Sequence, residues 1–544
     1  MLSFNPHPFG DTANIRVKIM KIILAVLGLF LFSTAVLADS TPSFTLPVQD
    51  LQYINRLTWG VNQASALQFK QLGKSAWLNS QLESSNDADL PDVLQQRIAA
   101  MPISTTSIVD LLALRQQAQQ HINSTTDPDQ KAALIKTANQ QMNAWALQAA
   151  ERDVLRDLYS PHQLQQVMTW FWFNHFNVLR HKGLDNLFIA DYIEHAIRPH
   201  ALGKFSDLVW ATLTHPAMLI YLDNQHNAVD ASNENYAREI MELHTLGVNG
   251  GYSQTDVQAL AAMLTGVGFR QSAQCLPGQN QLDGVPREDI NPLFCFGPAR
   301  HDNSAKHFLG QDFPANGGRE EITRAVNLLI HSPATAQHIS REMATYLLGD
   351  QPPDEVVNAM ALTFRRSDGD IAQTLTTLIH ADAFNSAGFV GKQFKDPMRY
   401  VLSSVRLLYS DSPILNTRPV IGWINQLGEP LYEHVSPDGY PLTGQAWLSA
   451  DQIAKRLDTS KSIYWGSGPL YVDENTTLQL DNNDKNQLQT LRKQAREDHP
   501  IASFAIYDLL HPMLSTTTLQ ALDKSLALDE WNSLLLSSPE WMYR

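Results

Sequence analysis

Apolar residues recur at three- and four-residue intervals through most of the chain, as in "VLQQRIAAM", "ALIKTANQQMNAWALQAAERDVLRDLY" and "LQQVMTWFWFNHFNVL". That interval puts them on one face of an α-helix, and the alternation that marks strands is rare. The pattern predicts a mainly α protein. Breaks fall at "SPHQ" (160–163), "RPHALGKFSD" (198–207), "HPAM" (215–218) and "SPAT" (332–335), where Ser, Asp or Pro suits the start of the next helix. These connections are short, and no repeat or low-complexity linker divides the chain. The expectation is therefore a compact multi-helix single body over residues 39–544.

Two stretches break the helical pattern. Residues 266–310 are rich in Gly, Pro, Asn and Asp, with "GFRQSA" and "LFCFG" as short strands, and they hold both cysteines, Cys275 and Cys295. This predicts a small disulfide-pinned β-hairpin or loop insertion. On the chain-entropy view, closing that loop contributes roughly 3 kcal/mol. Residues 414–444, "PVIGWINQLGEPLYEHVSPDGYPLTG" among them, read as a second loop-rich stretch draped over the helical body. The polar run "QLDNNDKNQLQTLRKQARED" (479–498) reads as an exposed helix or an excursion.

Charge and targeting narrow the classes. Lys18 and Lys21 precede the apolar run "IILAVLGLFLF" (22–32), followed by "STAVLADS". The run is short for a membrane span, and Val36-Leu37-Ala38 supplies the small residues that signal peptidase needs. Residues 1–38 thus read as a secretory signal peptide, with Met20 a better start than Met1. The expected residence is periplasmic or secreted, with no membrane span after cleavage, and there a disulfide persists. Removing Asp11, Arg16, Lys18 and Lys21 takes the formal charge from −15 to −17. Such a field repels nucleic acid, so no nucleic-acid partner is expected.

The densest chemistry lies in "NENYAREIMELHTLGVNGGYSQTDV" (233–257). At about 100° per residue, Glu234, Asn235, Arg238, Glu239 and Glu242 share one sector of a helix. Spacing alone describes a solvated stripe with Glu234–Arg238 and Arg238–Glu242 ion pairs, each contributing about 0.2–0.5 kcal/mol. The flanks add a frame: Gly247 suits a left-handed cap, and Ser253 with Asp256 suits a capping box on the next helix. Elsewhere, "MTWFWFNHFNV" (168–178) reads as core or as a carbohydrate-stacking cleft, with Asn174 and His175 as its polar members. "ARHDNSAKHFLG" (299–310) offers the adjacent pair His301 and Asp302. Asp223 and Asn224 in "YLDN" read as helix-end caps. The chain has no Gly-x-Ser-x-Gly elbow, no His-Glu-x-x-His and no phosphate-binding glycine loop.

These blocks carry a resemblance. "NENYAREIMELHTLGVNGGYSQTDVQALAAMLTG" resembles the signature of the bacterial domain of unknown function 1800 family. "INRLTWG", "MTWFWFNHFNV", "HPAMLIYLDN", "HDNSAKHFLG", "KQFKDPMRYVLSSVRLL" and "SSPEWMYR" are similar to further family blocks, in family order. The resemblance implies an exported, largely helical protein, often encoded beside sulfatase-like exported proteins, and it names no reaction. Where the family pattern has a short spacer between two tryptophans, this chain places a long insertion between Trp423 and Trp447.

Two functions are then in view. In the first, the chain is a metal-assisted hydrolase or related enzyme acting on envelope or extracellular polymers, with a polysaccharide as ligand and a sulfatase-like exported protein as partner. Glu239 and Glu242 would be its acid/base carboxylates, Arg238 would orient an anionic group, and His244 and Asp302 would complete the catalytic set. Glu239, His301 and His175 would hold a divalent metal. In the second, the same residues form a buried network in a non-catalytic envelope binding or scaffold protein.

Overall fold

The helix Gln163–His175 has no solvent-facing side, because every one of its residues is buried. So is every residue of the helix Pro397–Leu408. The computed structural model, which describes residues 46–270 and 280–544, wraps the other elements around these two. The 32-residue helix Pro128–Tyr159 packs against both, and also against Asp185–Asp191 and Arg418–Gln426. Farther along the chain, Pro333–Leu347, Asp354–Arg366 and Ile371–His380 pack in succession. One hydrophobic core runs through all of them, from Leu46 to Met542. The protein is mainly α and a single body. Among the described residues, no helix is long and apolar enough to cross a membrane.

Polar residues inside the two buried helices must find partners within the protein. Gln163 donates to the carbonyls of Asp157 and Ser160 and accepts from the Trp59 amide. Arg399 donates to the Thr58 carbonyl at 2.8 Å, and Arg406 to those of Gly60, Asp157 and Leu158. The two arginines thereby tie the first described helix, Val48–Leu57, to the centre through the residues that follow it. Gly60 makes the approach feasible: a Cβ there would lie 2.4 Å from the Ser403 Cβ.

The helix starts follow the sequence signals. His215 Nδ1 accepts from the Ala217 amide and Ser332 from the Ala334 amide, each just ahead of a proline at the first helical position. The excursion at 266–310 contains the expected hairpin: β1 (Val267–Phe269) pairs antiparallel with β2 (Phe294–Phe296), and Gly268 faces Cys295. Cys275 lies outside the described residues, as do residues 1–38 and Met20. A second hairpin was not anticipated. Its strands, β3 (Lys306–Phe308) and β4 (Gln311–Phe313), are too short to show alternation, and Leu309 and Gly310 turn between them at φ +47° and +76°.

The 414–444 stretch departs from the expected loop. Arg418–Gln426 is a helix with Pro419 in its first turn and Val420, Trp423 and Ile424 buried. Of the two readings of the polar 479–498 run, the helical one holds: it is the end of the helix Glu474–Asn483 followed by Lys485–Asp498. Residues 427–443 form an irregular strap across the body. Asn174 donates to the Tyr440 carbonyl at 2.8 Å and accepts from the Tyr440 amide at 2.7 Å. Asn177 donates to the carbonyls of His434 and Ser436, and the Tyr221 hydroxyl to that of Val435. Gly439 sits at φ +68°, where a Cβ would come 2.2 Å from the Asn174 carbonyl oxygen. Gly439→Ala is therefore expected to cost about 2–4 kcal/mol, from left-handed backbone plus overpacking. Urea unfolding measures it, and a cost below about 1 kcal/mol would mean that the strap docks differently.

Candidate functional site

The helix of the signature segment is Asn235–Glu242, two turns long. The Leu243 and His244 amides both donate to the Glu239 carbonyl, at 2.9 and 3.1 Å. The Thr245 hydroxyl takes the Ile240 carbonyl at 2.5 Å, and Gly247 turns away at φ +83°. His244 thus lies beyond the helix rather than on it. The Ser253–Asp256 capping box stands where the sequence placed it, whereas Gly247 is left-handed but caps no helix, because the helix already ends at Glu242 with Leu243 as its cap.

On the solvent side, Arg238 donates to Glu234 at 3.0 Å and to Gln254 at 3.0 Å, and Gln254 also donates to Glu234 at 2.7 Å. The expected Glu234–Arg238 pair forms. Glu242 accepts from the Tyr252 hydroxyl at 3.4 Å instead of pairing with Arg238. Glu239 is half-buried between them. Burial raises its carboxyl above the ordinary glutamate value, the carboxylates of Glu242 and Asp438 add to the rise, and Arg238 opposes it. Asp438 arrives on the strap. The Tyr221 hydroxyl shares this field: burial raises it, and Glu239 and Asp438 push the same way. Lys182, bonded to Asp223 at 2.7 Å, sits over the Tyr221 ring.

On the buried side, four groups from three distant segments meet. His175 Nδ1 lies 2.7 Å from Glu342 Oε2, and its Nε2 lies 3.1 Å from the His244 carbonyl oxygen. An acceptor thus faces each nitrogen, and only a ring carrying both protons donates to both. His338 Nε2 lies 3.0 Å from the Leu243 carbonyl oxygen and 3.7 Å from Glu342 Oε1. The His244 ring is 1% exposed and 5.9 Å, centre to centre, from that of His175. Burial, reinforced by His175 and His338, holds it well below the usual histidine value, so it stays neutral. Burial pushes Glu342 up, but His175 and His338 outweigh it and leave the carboxyl below the usual range.

His301 and Asp302 belong elsewhere. His301 Nδ1 bonds the Thr265 carbonyl at 2.8 Å, and its Nε2 lies 3.0 Å from Glu321. Glu321 in turn takes Lys306 at 2.8 Å, and both side chains are buried. Asp302 accepts from the Ser304 amide at 2.8 Å, closing a local turn. Burial raises its carboxyl, but Ser304, Lys306 and His301 outweigh that and leave it lowered. The structure thus brings His175 and His244 together and joins Glu239 with Glu242 and Arg238, while His301 and Asp302 bond a different set of partners. Among the described residues, no group of three or more His, Cys, Asp and Glu side chains is arranged to hold a metal ion.

The sequence reading passed over Glu342, His338, Asp438 and Tyr221. The first two stand four apart in "HISRE", a spacing that puts them on one helical face. Asp438 gave no local signal, because only the course of the strap brings it to Glu239.

One pH dependence follows. A histidine held neutral in the fold adds stability above about pH 6.5, its ordinary value, and that stability is lost as pH falls through this window. His244→Gln is expected to lose less stability than the parent chain between pH 7.5 and pH 5. Part of the slope will remain, because His215 is also buried and held low. Urea unfolding at the two pH values tests this, and equal losses would remove His244 from the account.

Compared with protein-family profiles, residues 52–543 match the family described as "Protein of unknown function (DUF1800)". A search of curated proteins and a search of solved structures each returned no match. The profile match takes in the signature segment, both buried helices, the strap and the His175–Glu342 network. The chain belongs to the DUF1800 family.

Proposed function

We propose that the chain is an acid–base hydrolase acting on an envelope or extracellular polymer, with a polysaccharide as the favoured substrate. Glu239 carries this reading. It is a half-buried carboxyl, held towards its acid form by burial and by two neighbouring carboxylates, on a face open to solvent. A carboxyl held towards its acid form beside a second carboxyl group is the arrangement used to divide acid from base in glycoside cleavage. Glu239 would donate the proton to the leaving oxygen, and Glu242 would take a proton from the attacking water. Arg238, already bonded to Glu234 and Gln254, tempers the field at Glu239 rather than gripping an anion.

His244 and Asp302 take structural roles in this reading, since one ring is buried and the other carboxylate closes a turn. His175 and His301 are each bonded to different partners, so the chemistry is assigned to the carboxylates without a divalent metal. Export through residues 1–38, periplasmic or secreted residence, a Cys275–Cys295 disulfide across the hairpin and a sulfatase-like exported partner complete the proposal. They rest on the sequence. A binding or scaffold role gains support from one observation, the buried His175 and partly buried His338 imidazoles committed to main-chain carbonyls.

A screen of soluble polymers for released reducing ends tests the reading. Glu239→Gln is expected to lower the rate about 100-fold or more while melting within a few degrees of the parent chain. Dialysis against a chelator is expected to leave the rate unchanged. An unaltered rate in Glu239→Gln would end the proposal, and marked destabilisation with no activity in either protein would favour the scaffold.

A further inference from the structure

An eight-residue helix holds its own end weakly, because its last carbonyls have no partner within it and so few turns add little cooperativity. What caps those carbonyls therefore decides where the helix stands. Just past the signature helix, the bonds that hold its end come from far away in the sequence. The Leu243 carbonyl takes His338 Nε2 at 3.0 Å and the His244 carbonyl takes His175 Nε2 at 3.1 Å. Both imidazoles lean on one carboxylate, Glu342, at 3.7 and 2.7 Å. Imidazole donors at a helix C-terminus are well matched to its partial negative charge.

The same two residues hold Glu239. Its carbonyl is the acceptor for the amides of Leu243 and His244, the residues whose own carbonyls are capped. The link from Glu342 to Glu239 thus runs through His338 and the peptide unit joining Leu243 to His244, whose N–H bonds the Glu239 carbonyl, while His175 holds the same stretch from the next carbonyl, that of His244. Gly247 is part of the fit: at φ +83°, a Cβ there would lie 3.0 Å from His338 Nδ1. The buried His244 ring, 5.0 Å from Phe176 between centres and with no bonded partner for its Nε2 among the described residues, packs the remaining space.

We propose that Glu342 is the positioning residue of this site, fixing through His175 and His338 the carbonyls of Leu243 and His244 just past the end of the signature helix and so setting where Glu239 and Glu242 stand. The meaning of that position for catalysis rests on the acid–base reading above. The geometry itself does not, and it can be tested without a known substrate.

The test uses the full mature chain with ¹³C-labelled glutamate and amide hydrogen exchange. In Glu342→Gln, the amides of Leu243, His244 and Thr245 are expected to exchange at least tenfold faster, and the Glu239 carboxyl resonance is expected to shift at fixed pH. Amides in the helix Asp354–Arg366 should keep their parent rates. His338 is only partly buried, so its variants offer a second route that spares the core. His338→Ala should reproduce the pattern, and His338→Gln, which keeps an N–H donor for the Leu243 carbonyl, should restore most of it. An unmoved Glu239 resonance with unchanged exchange at 243–245 would overturn the proposal. So would exchange rising equally across the chain, which marks a general core role. Failure of the hydrolase reading would instead show as full polymer turnover in Glu239→Gln with these signatures intact.

Discussion

The structure depends on satisfying the polar groups of a helix that never meets water. Gln163–His175 runs through the middle of the body, and each of its glutamines, its threonine, its asparagine and its histidine must bond inside the protein or leave a costly orphan. Those obligations decide what surrounds it. Gln163 fixes the segment after Tyr159, Asn174 seats the strap, and His175 reaches the signature segment and Glu342. Apolar packing supplies most of the cohesion, but it is indifferent to direction. The hydrogen bonds choose which neighbour goes where.

The signature segment gains two unlike sides from this arrangement. Its solvent side carries the half-buried carboxylates of Glu234, Glu239 and Glu242, with Asp438 added from outside the segment. Its buried side carries imidazoles spent on main-chain carbonyls. A reading that counts every His, Glu and Arg of the segment as one constellation merges two layers that the backbone keeps apart. The division arises where the helix ends, between Glu242 and His244, because the Leu243 and His244 amides close on the Glu239 carbonyl and leave the His244 ring buried beyond the last turn.

Much of this was legible in the sequence. Periodicity gave the helices and their shared body, proline with a preceding Ser or His marked the starts at 216 and 333, and Ser253 with Asp256 announced its capping box. Each of these signals is local, resting on bonds spanning no more than four residues. What was not legible depends on contacts between distant segments. A nine-residue helix inside 414–444 was masked by the turn residues around it, and strands of three residues leave no period to detect. The meeting of His175, His244, His338 and Glu342 joins positions separated by as many as 167 residues. No spacing rule reaches so far. The metal set was assembled from residue types alone, and types do not fix which groups become neighbours.

The strap has a last consequence. Its attachments to Asn174, Asn177 and Tyr221 are made to the carbonyls of residues 434, 435, 436 and 440, so over this part of the strap the body recognises the backbone rather than the side chains. Glu433 pairs with Arg180, but residues 435–438 can change identity without loosening these backbone bonds. Asp438 occupies an interchangeable position facing Glu239. Replacing it by a neutral or basic residue would retune the acidity of that carboxyl while the scaffold stays as it is, which makes the strap a variable part through which related chains can diverge in chemistry before they diverge in fold.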